Sequence, residues 1–216
     1  MALDKKTQNM NTNIRIRALL LDIGGVFLTN GWGHQSRRIA AEHFNIDYDE
    51  MNERHKIAFD AYETGKIDLD YYLQLIIFYQ QRSFSKEAFR EFMFAQSQPL
   101  QPMIDWIYRL KHQHKIKTAS VNNEGRELND YRVVTFQLDR FIDVFVSSSY
   151  VHLRKPDKDI YKLAMDILLV KPEETLYIDD RPIFIEVAKS LGIHAIRHVS
   201  LEETKKCLDE FGLSME

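Results

Sequence analysis

The sequence predicts an α/β fold, a Rossmann-like parallel sheet with helices on both faces, interrupted by one all-helical insertion. Three observations carry that expectation. Short apolar runs of strand length alternate with helical patterns through most of the chain, as in strand–helix–strand units. Residues that start and stop helices fall between those runs. From about residue 34 to 98 the alternation fails, and helical patterns follow one another directly.

The first strand is expected over 16–21, where Ala18-Leu19-Leu20-Leu21 runs uninterrupted to Asp22. Similar apolar runs place strands at 116–121, 144–147, 175–178 and 193–196. Helices are expected between them at 103–111, 124–138, 158–169, 183–191 and 202–211. Asp157 precedes the periodic run Ile160, Leu163, Ala164, Ile167 and is placed to cap it, and Gly192 follows Leu191 where glycine favours a helix end. The insertion reads as helices over 35–44, 49–64, 69–81 and 86–96, punctuated by Gly65, Ser83 and Pro99. The expected division is a loose leader over 1–13, an α/β core over 14–30 and 100–216, and a helical cap over 31–99. Following the first strand, the cap falls beside the C-terminal edge of the sheet, where open α/β sheets bind ligands. Its many aromatics, Phe44, Phe59, Tyr72 and Phe89 among them, are expected to form its own core, with Tyr62 or Trp32 as candidates to face a substrate.

The 216 residues carry 29 Lys and Arg against 32 Asp and Glu, a net charge of −3, with 44% apolar residues. These are the proportions of an ordinary globular protein, and no basic excess marks a nucleic-acid binder. A single cysteine, Cys207, excludes an internal disulfide and multi-cysteine metal centres and suits a reducing compartment. No apolar run approaches the ~18 residues of a membrane span, and the polar start lacks a signal-peptide centre. A cytoplasmic protein with no membrane partner is expected.

Four segments carry candidate chemistry. In Leu21-Asp22-Ile23-Gly24-Gly25 a carboxylate leaves the sheet edge, and the glycines permit close backbone approach; the plainer reading is a strand-ending turn. Val121-Asn122-Asn123 ends a second strand with amides able to donate to phosphate oxygens, although Asn is also a common turn residue. Lys155 of Lys155-Pro156-Asp157 can neutralise an anion ahead of a capped helix, or simply be solvated there. Ile178-Asp179-Asp180 sets two acids side by side. Adjacent like charges require compensation, and a hard divalent cation such as magnesium supplies it. In a parallel sheet these four strand ends meet on one rim, and acids, a lysine and donors around a metal suit phosphoryl transfer.

In order and spacing the four segments resemble the motifs of the haloacid dehalogenase superfamily of hydrolases, and the insertion lies where that family carries a helical cap. The chain looks like the small-cap phosphatases related to α-glucose-1-phosphate phosphatases. The resemblance implies a magnesium-dependent phosphate-monoester hydrolase acting on a small phosphorylated metabolite, such as a sugar phosphate. It implies Asp22 as the nucleophile forming an aspartyl phosphate. Asp22, the Gly24 carbonyl and Asp180 would hold Mg2+, with Asp179 nearby. Lys155 would steady Asp22 and the transferred charge, and Asn122, with Asn123, would contact the phosphoryl group.

Three positions depart from the family pattern. Family phosphatases usually carry a second Asp, the general acid and base, where this chain has Gly24. Such groups contribute roughly 100- to 10,000-fold in rate, so slow turnover is expected. A catalytically degenerate protein binding a phosphorylated ligand or a protein partner is the alternative. Asn122 replaces Ser or Thr, with Ser120 as a fallback two residues earlier, and Phe184 stands where relatives often place Asn or Asp. His34 is a candidate substitute proton donor. A true dehalogenase would not need the paired acids. Gly31-Trp32-Gly33 lacks the third glycine of a dinucleotide site, and His112, His114, His194 and His198 lack further clustered ligands for zinc.

Overall fold

The structure is a computed structural model, and it describes residues 15–215; the expected leader over 1–13 lies outside the described residues. Five strands form one parallel sheet: β1 (Ala18–Leu21), β2 (Lys117–Asn122), β3 (Val144–Ser147), β4 (Thr175–Asp179) and β5 (His194–Arg197), in the order β3-β2-β1-β4-β5. The α/β expectation therefore holds. β1 occupies the centre, and its four residues are all fully buried, as a sheet covered on both faces requires. Alternate side chains point to opposite faces. Leu19 and Leu21 enter one core with Ile107 and Leu110 of α5 (Gln101–His114) and Leu208 of α10 (Leu201–Glu210). Ala18 and Leu20 enter the other with Ile160 and Ala164 of α8 (Lys158–Leu168) and Ile185 and Ala188 of α9 (Pro182–Ser190). Asp157 caps α8, accepting from the Asp159 N–H at 2.9 Å, a contact that typically stabilises a helix by about 1 kcal/mol.

Several boundaries differ from the sequence reading, each for a local reason. β2 begins and ends one residue later than expected, because Lys115 closes α5 in a left-handed conformation (φ 50°) before the strand starts. The shift puts Asn122 inside the strand. The helix expected over 124–138 is α6 (Arg126–Thr135), and left-handed Gln137 (φ 51°) separates it from a 3-10 turn at Leu138–Arg140. A four-residue helix, α7 (Ser148–Val151), follows β3 without a sequence signal.

Between β1 and α5 the chain forms α1 (His34–His43), α2 (Tyr48–Glu63), α3 (Leu69–Ile76) and α4 (Lys86–Ala95). Asp47, Asp68 and Ser85 cap the last three, each accepting the N–H three residues on. The helix expected over 69–81 stops at Ile76, where Ile76 and Ile77 are both fully buried. Successive helical residues point about 100° apart, so the chain unwinds to bury both. These helices close on their own core of Met51, Tyr72, Leu73, Ile76, Phe89 and Met93. The segment leaves and rejoins the sheet through a two-stranded neck, with a bridge between Leu28 and Pro99 and a 2.9 Å bond from the Thr29 N–H to the Gln98 carbonyl. Among the described residues no helix is long and apolar enough to cross a membrane.

Candidate active site

A cavity of about 250 Å³ opens between the C-terminal ends of the strands and the four-helix segment. The loops after β1 and β2 bring Asp22, Gly24 and residues 122–125 to one wall; Lys155 and Phe184 complete it. Trp32, Arg37, His55, Tyr62, Glu63 and Tyr72 form the opposite wall.

Lys155 is the centre of the charged wall. It is 1% exposed, and its Nζ donates to Asp22 Oδ1 at 2.9 Å, to Asp179 Oδ2 at 2.7 Å and to Tyr177 OH at 3.0 Å. Its charge also sits over the Phe184 ring, 4.7 Å from the centroid, an attraction that strengthens away from water. Asn123 grips the same residue by its backbone: the amide accepts from the Lys155 N–H and donates to the Lys155 carbonyl, both at 2.8 Å. A remote loop thereby fixes the lysine against two strand ends.

Asp179 is fully buried and has both oxygens engaged: Oδ1 accepts from the Arg181 N–H at 2.7 Å, and Oδ2 accepts from Lys155 and from Tyr177 OH. Asp180 differs, since its buried Oδ1 has no hydrogen-bond partner among the described residues. Oxygens from Asp22, Asp179 and Asp180 come within 4.8 Å of one another. Gly25 makes that approach possible, because at its φ of +79° a Cβ would lie 2.4 Å from Asp180 Oδ2. Burial pushes the Asp22 carboxyl up, to about 6, against the pull of Lys155. Burial and then the neighbouring Asp179 push Asp180 up as well. Three acids, a buried unpartnered oxygen and one ammonium leave negative charge that a divalent cation fits.

The remaining predicted positions fall out differently. Asn122 reaches the cavity wall, but its side chain is built into the fold: Nδ2 donates to Asn129 Oδ1 at 3.0 Å, and Oδ1 accepts from Ser147 Oγ at 2.8 Å. Ser120 is fully buried, and among the described residues its hydroxyl has no partner. A Cβ on Gly24 would meet Asn30 Oδ1 at 3.2 Å and Arg132 Nη1 at 3.9 Å, so Asn30 and Arg132 flank the place a second Asp would use. Trp32 and Tyr62 both face the cavity, as does exposed His34.

Sequence reasoning missed Glu124 and Arg154, although each adjoins a residue it had selected and lies in the same strand-end loop. It also missed Arg132, two turns along α6, and Arg37 and His55 from the helical segment, for which no local signal exists. Glu124 is held by buried Arg132, whose Nη1 donates to Oε2 at 2.5 Å. Burial pushes the Glu124 carboxyl up to about 7. Burial drives His55 the other way, to about 3, with Arg37 adding to the effect.

Comparison with known proteins gives the family of the chain. The family model described as haloacid dehalogenase-like hydrolase matches residues 32–198. The chain is 35% identical over 90 residues to a protein assigned by name to the pyrophosphatases, PpaX, of Caldanaerobacter subterraneus, covering 42% of this chain and 40% of that protein. It is 33% identical over 97 residues to the phosphorylated carbohydrates phosphatase of Thermotoga maritima, covering 44% and 45% respectively. The chain thus spans less than half the length of these curated relatives. A HAD family enzyme of Bacteroides thetaiotaomicron, solved in complex with magnesium and inorganic phosphate, shares the fold with a TM-score of 0.72 at 20% identity, over 89% of this chain and 98% of that one. With a family match across more than three quarters of its length and the parallel sheet that such enzymes share, the chain belongs to the haloacid dehalogenase-like hydrolases.

Proposed function

We propose that this protein is a magnesium-dependent phosphatase that hydrolyses a small phosphate monoester through a phosphoryl group carried on Asp22. The observation that supports it most is the convergence of Asp22, Asp179 and Asp180 around buried Lys155, with Asp180 Oδ1 left without a partner. Asp22, the Gly24 carbonyl and Asp180 would hold Mg2+, which would neutralise charge on the phosphoryl oxygens. Asp179 has its oxygens taken by Lys155, Tyr177 and Arg181, so its part is to orient the lysine beside the metal site.

Lys155 holds Asp22 Oδ1 and leaves Oδ2 to attack phosphorus. The ester P–O bond breaks as the Asp22–phosphorus bond forms, and the departing alkoxide takes a proton. Water then attacks phosphorus, the Asp22–phosphorus bond breaks, and inorganic phosphate leaves. Covalent catalysis of this kind divides one hard displacement into two easier ones. Asn122 donates one amide N–H to Asn129 and would offer the other to the phosphoryl group, while Asn123 acts through the Lys155 backbone. Residues 31–99 would act as the cap over this chemistry.

A sugar phosphate is the proposed substrate class. The facing wall mixes aromatic rings with polar groups, as a hydroxylated ring requires, and the name of the Thermotoga relative points the same way. The cytoplasm is the proposed compartment, which suits free Cys207.

The test is phosphate release from a panel of phosphate esters by purified protein, with and without Mg2+. Magnesium-dependent release that Asp22→Asn abolishes is expected. Tight ligand binding with no release under any condition would replace the enzyme with the degenerate binder.

A further inference from the structure

We propose that Glu124 is the general acid and base of this site, taking the part that Gly24 leaves vacant. The inference rests on the phosphatase reading above and adds a residue to it. The reaction needs a proton for the leaving oxygen and a base for the attacking water, and Gly24 carries no side chain to supply either.

Geometry selects Glu124 from the titratable groups on the cavity. His34 is exposed at the mouth and stacked edge-on against Tyr48. His55 is bonded through Nδ1 to Tyr72 OH and is kept neutral by burial. Glu63 is tied down by the Arg154 guanidinium at 2.6 Å. Glu124 follows directly on Asn122 and Asn123 at the end of β2, and its side chain is 12% exposed toward the cavity it shares with Asp22. Arg132 clamps Oε2, while among the described residues no hydrogen bond engages Oε1. The clamp ties Glu124 to the Gly24 site: the Arg132 Nη1 that holds Oε2 at 2.5 Å lies 3.9 Å from the place a Gly24 Cβ would take. Arg132 is itself fixed by Ser97 Oγ at 2.9 Å and the Thr29 carbonyl at 2.6 Å, one on each side of the neck. Glu124 is therefore held on the cavity wall, next to the arginine that borders the space a family acid would occupy.

Its surroundings suit proton exchange near neutrality. Burial favours its protonated form most, helped by Glu63 from α2 and Asp22 beyond β1; Arg132 of α6 and Arg181 ahead of α9 favour the charged form, and Tyr62 of α2 lies in the same field. A group that exchanges its proton near pH 7 is suited to both halves of the reaction. The Glu124 carboxyl gives its proton to the ester oxygen as the P–O bond breaks. The resulting carboxylate takes a proton from water as the water oxygen bonds to phosphorus and Asp22 is released, restoring the starting state.

The test is leaving-group dependence in Glu124→Gln, whose amide oxygen can still accept from Arg132. For an alkyl phosphate with Mg2+, kcat/KM should fall by about 100- to 10,000-fold, whereas 4-nitrophenyl phosphate, whose leaving group needs no proton, should lose no more than about tenfold. The variant should also release one burst of nitrophenolate per site and then slow, because water attack lacks its base. Glu124→Asp, which keeps the charge beside Arg132, serves as the folded control and should show the same ester dependence in weaker form. Adding Gly24→Asp to Glu124→Gln should restore part of the alkyl phosphate rate. Equal losses for both esters, or none, would overturn the assignment while leaving Asp22 chemistry intact. A wild-type protein inactive on every ester would overturn the phosphatase reading itself.

Discussion

The two walls of the cavity hold their polar groups in opposite ways. On the sheet wall like charges crowd together at strand ends, and a single lysine spans two of three acids while Asp180 keeps an unpartnered oxygen. On the helical wall the polar groups are dispersed among rings. Trp32 donates to Tyr72 OH at 2.9 Å, Tyr72 stacks on Tyr62 with centroids 4.5 Å apart, and Arg37 donates to the Trp32 carbonyl at 2.8 Å. The first wall stores negative charge that a cation and a phosphoryl group would complete. The second presents shape and a few fixed donors. On the proposed reading, the chemistry belongs to the sheet wall and the choice of substrate to the helical wall.

The sharpest way to break this contrast is to disable each wall in turn. Asp22→Asn should lower kcat/KM for any ester by at least about 1,000-fold, whereas Tyr62→Ala should alter the ranking of esters far more than the best rate. A wall-independent loss in a steady-state panel would erase the distinction. Lys155→Met leaves Asp22 and Asp179 facing each other without a cation. Removing one partner of a buried ion pair costs about 3–5 kcal/mol, on the order of 10 °C in melting temperature for a chain of this size. Melting with and without Mg2+ checks this, since bound cation should offset part of the loss. Where the walls touch, Gly125→Ala would set a Cβ 2.0 Å from the Tyr62 ring. Overpacking of this kind costs about 1–3 kcal/mol, so urea unfolding should show a lower midpoint.

The walls should also answer pH with opposite signs, the smallest of these effects. Without metal, Glu124 and Asp22 keep their protons to about 7 and about 6, above ordinary values of 4.5 and 3.8. The folded state then binds more protons than the unfolded one in that window, and the stability they contribute is lost as pH rises through it. His55 loses its proton in the folded state down to about 3, against an ordinary 6.5, so its contribution is present above 6.5 and lost as pH falls. Melting temperatures measured from pH 4 to 8 in chelator should therefore lose part of their decline with rising pH in Glu124→Gln, leaving the share of Asp22, and part of their decline with falling pH in His55→Gln.

The same contrast explains what could be read from the sequence. Strand ends in a parallel sheet share one edge whatever lies between them, so Asp22, Asn122 and Asp179-Asp180 could be assembled from apolar runs and order alone, and Lys155 from the loop that follows β3 and α7. The fold class followed from the same alternation. The use of Asn122 within the strand network depended on a one-residue shift set by left-handed Lys115, which no periodicity reveals. Arg132 reaches Glu124 from two turns away and Arg37 enters from another layer, and such partners exist only once helices pack.

The central claim is that Asp22 carries the phosphoryl group while Lys155 and the paired acids hold the site around it. Acid-quenched protein, taken during turnover of a phosphate ester with Mg2+ and mapped by peptide mass spectrometry, tests it most directly. The account predicts one phosphoryl group on Asp22, absent when magnesium is withheld. Turnover that persists in Asp22→Asn, or a phosphoryl group found on any other residue, would contradict it.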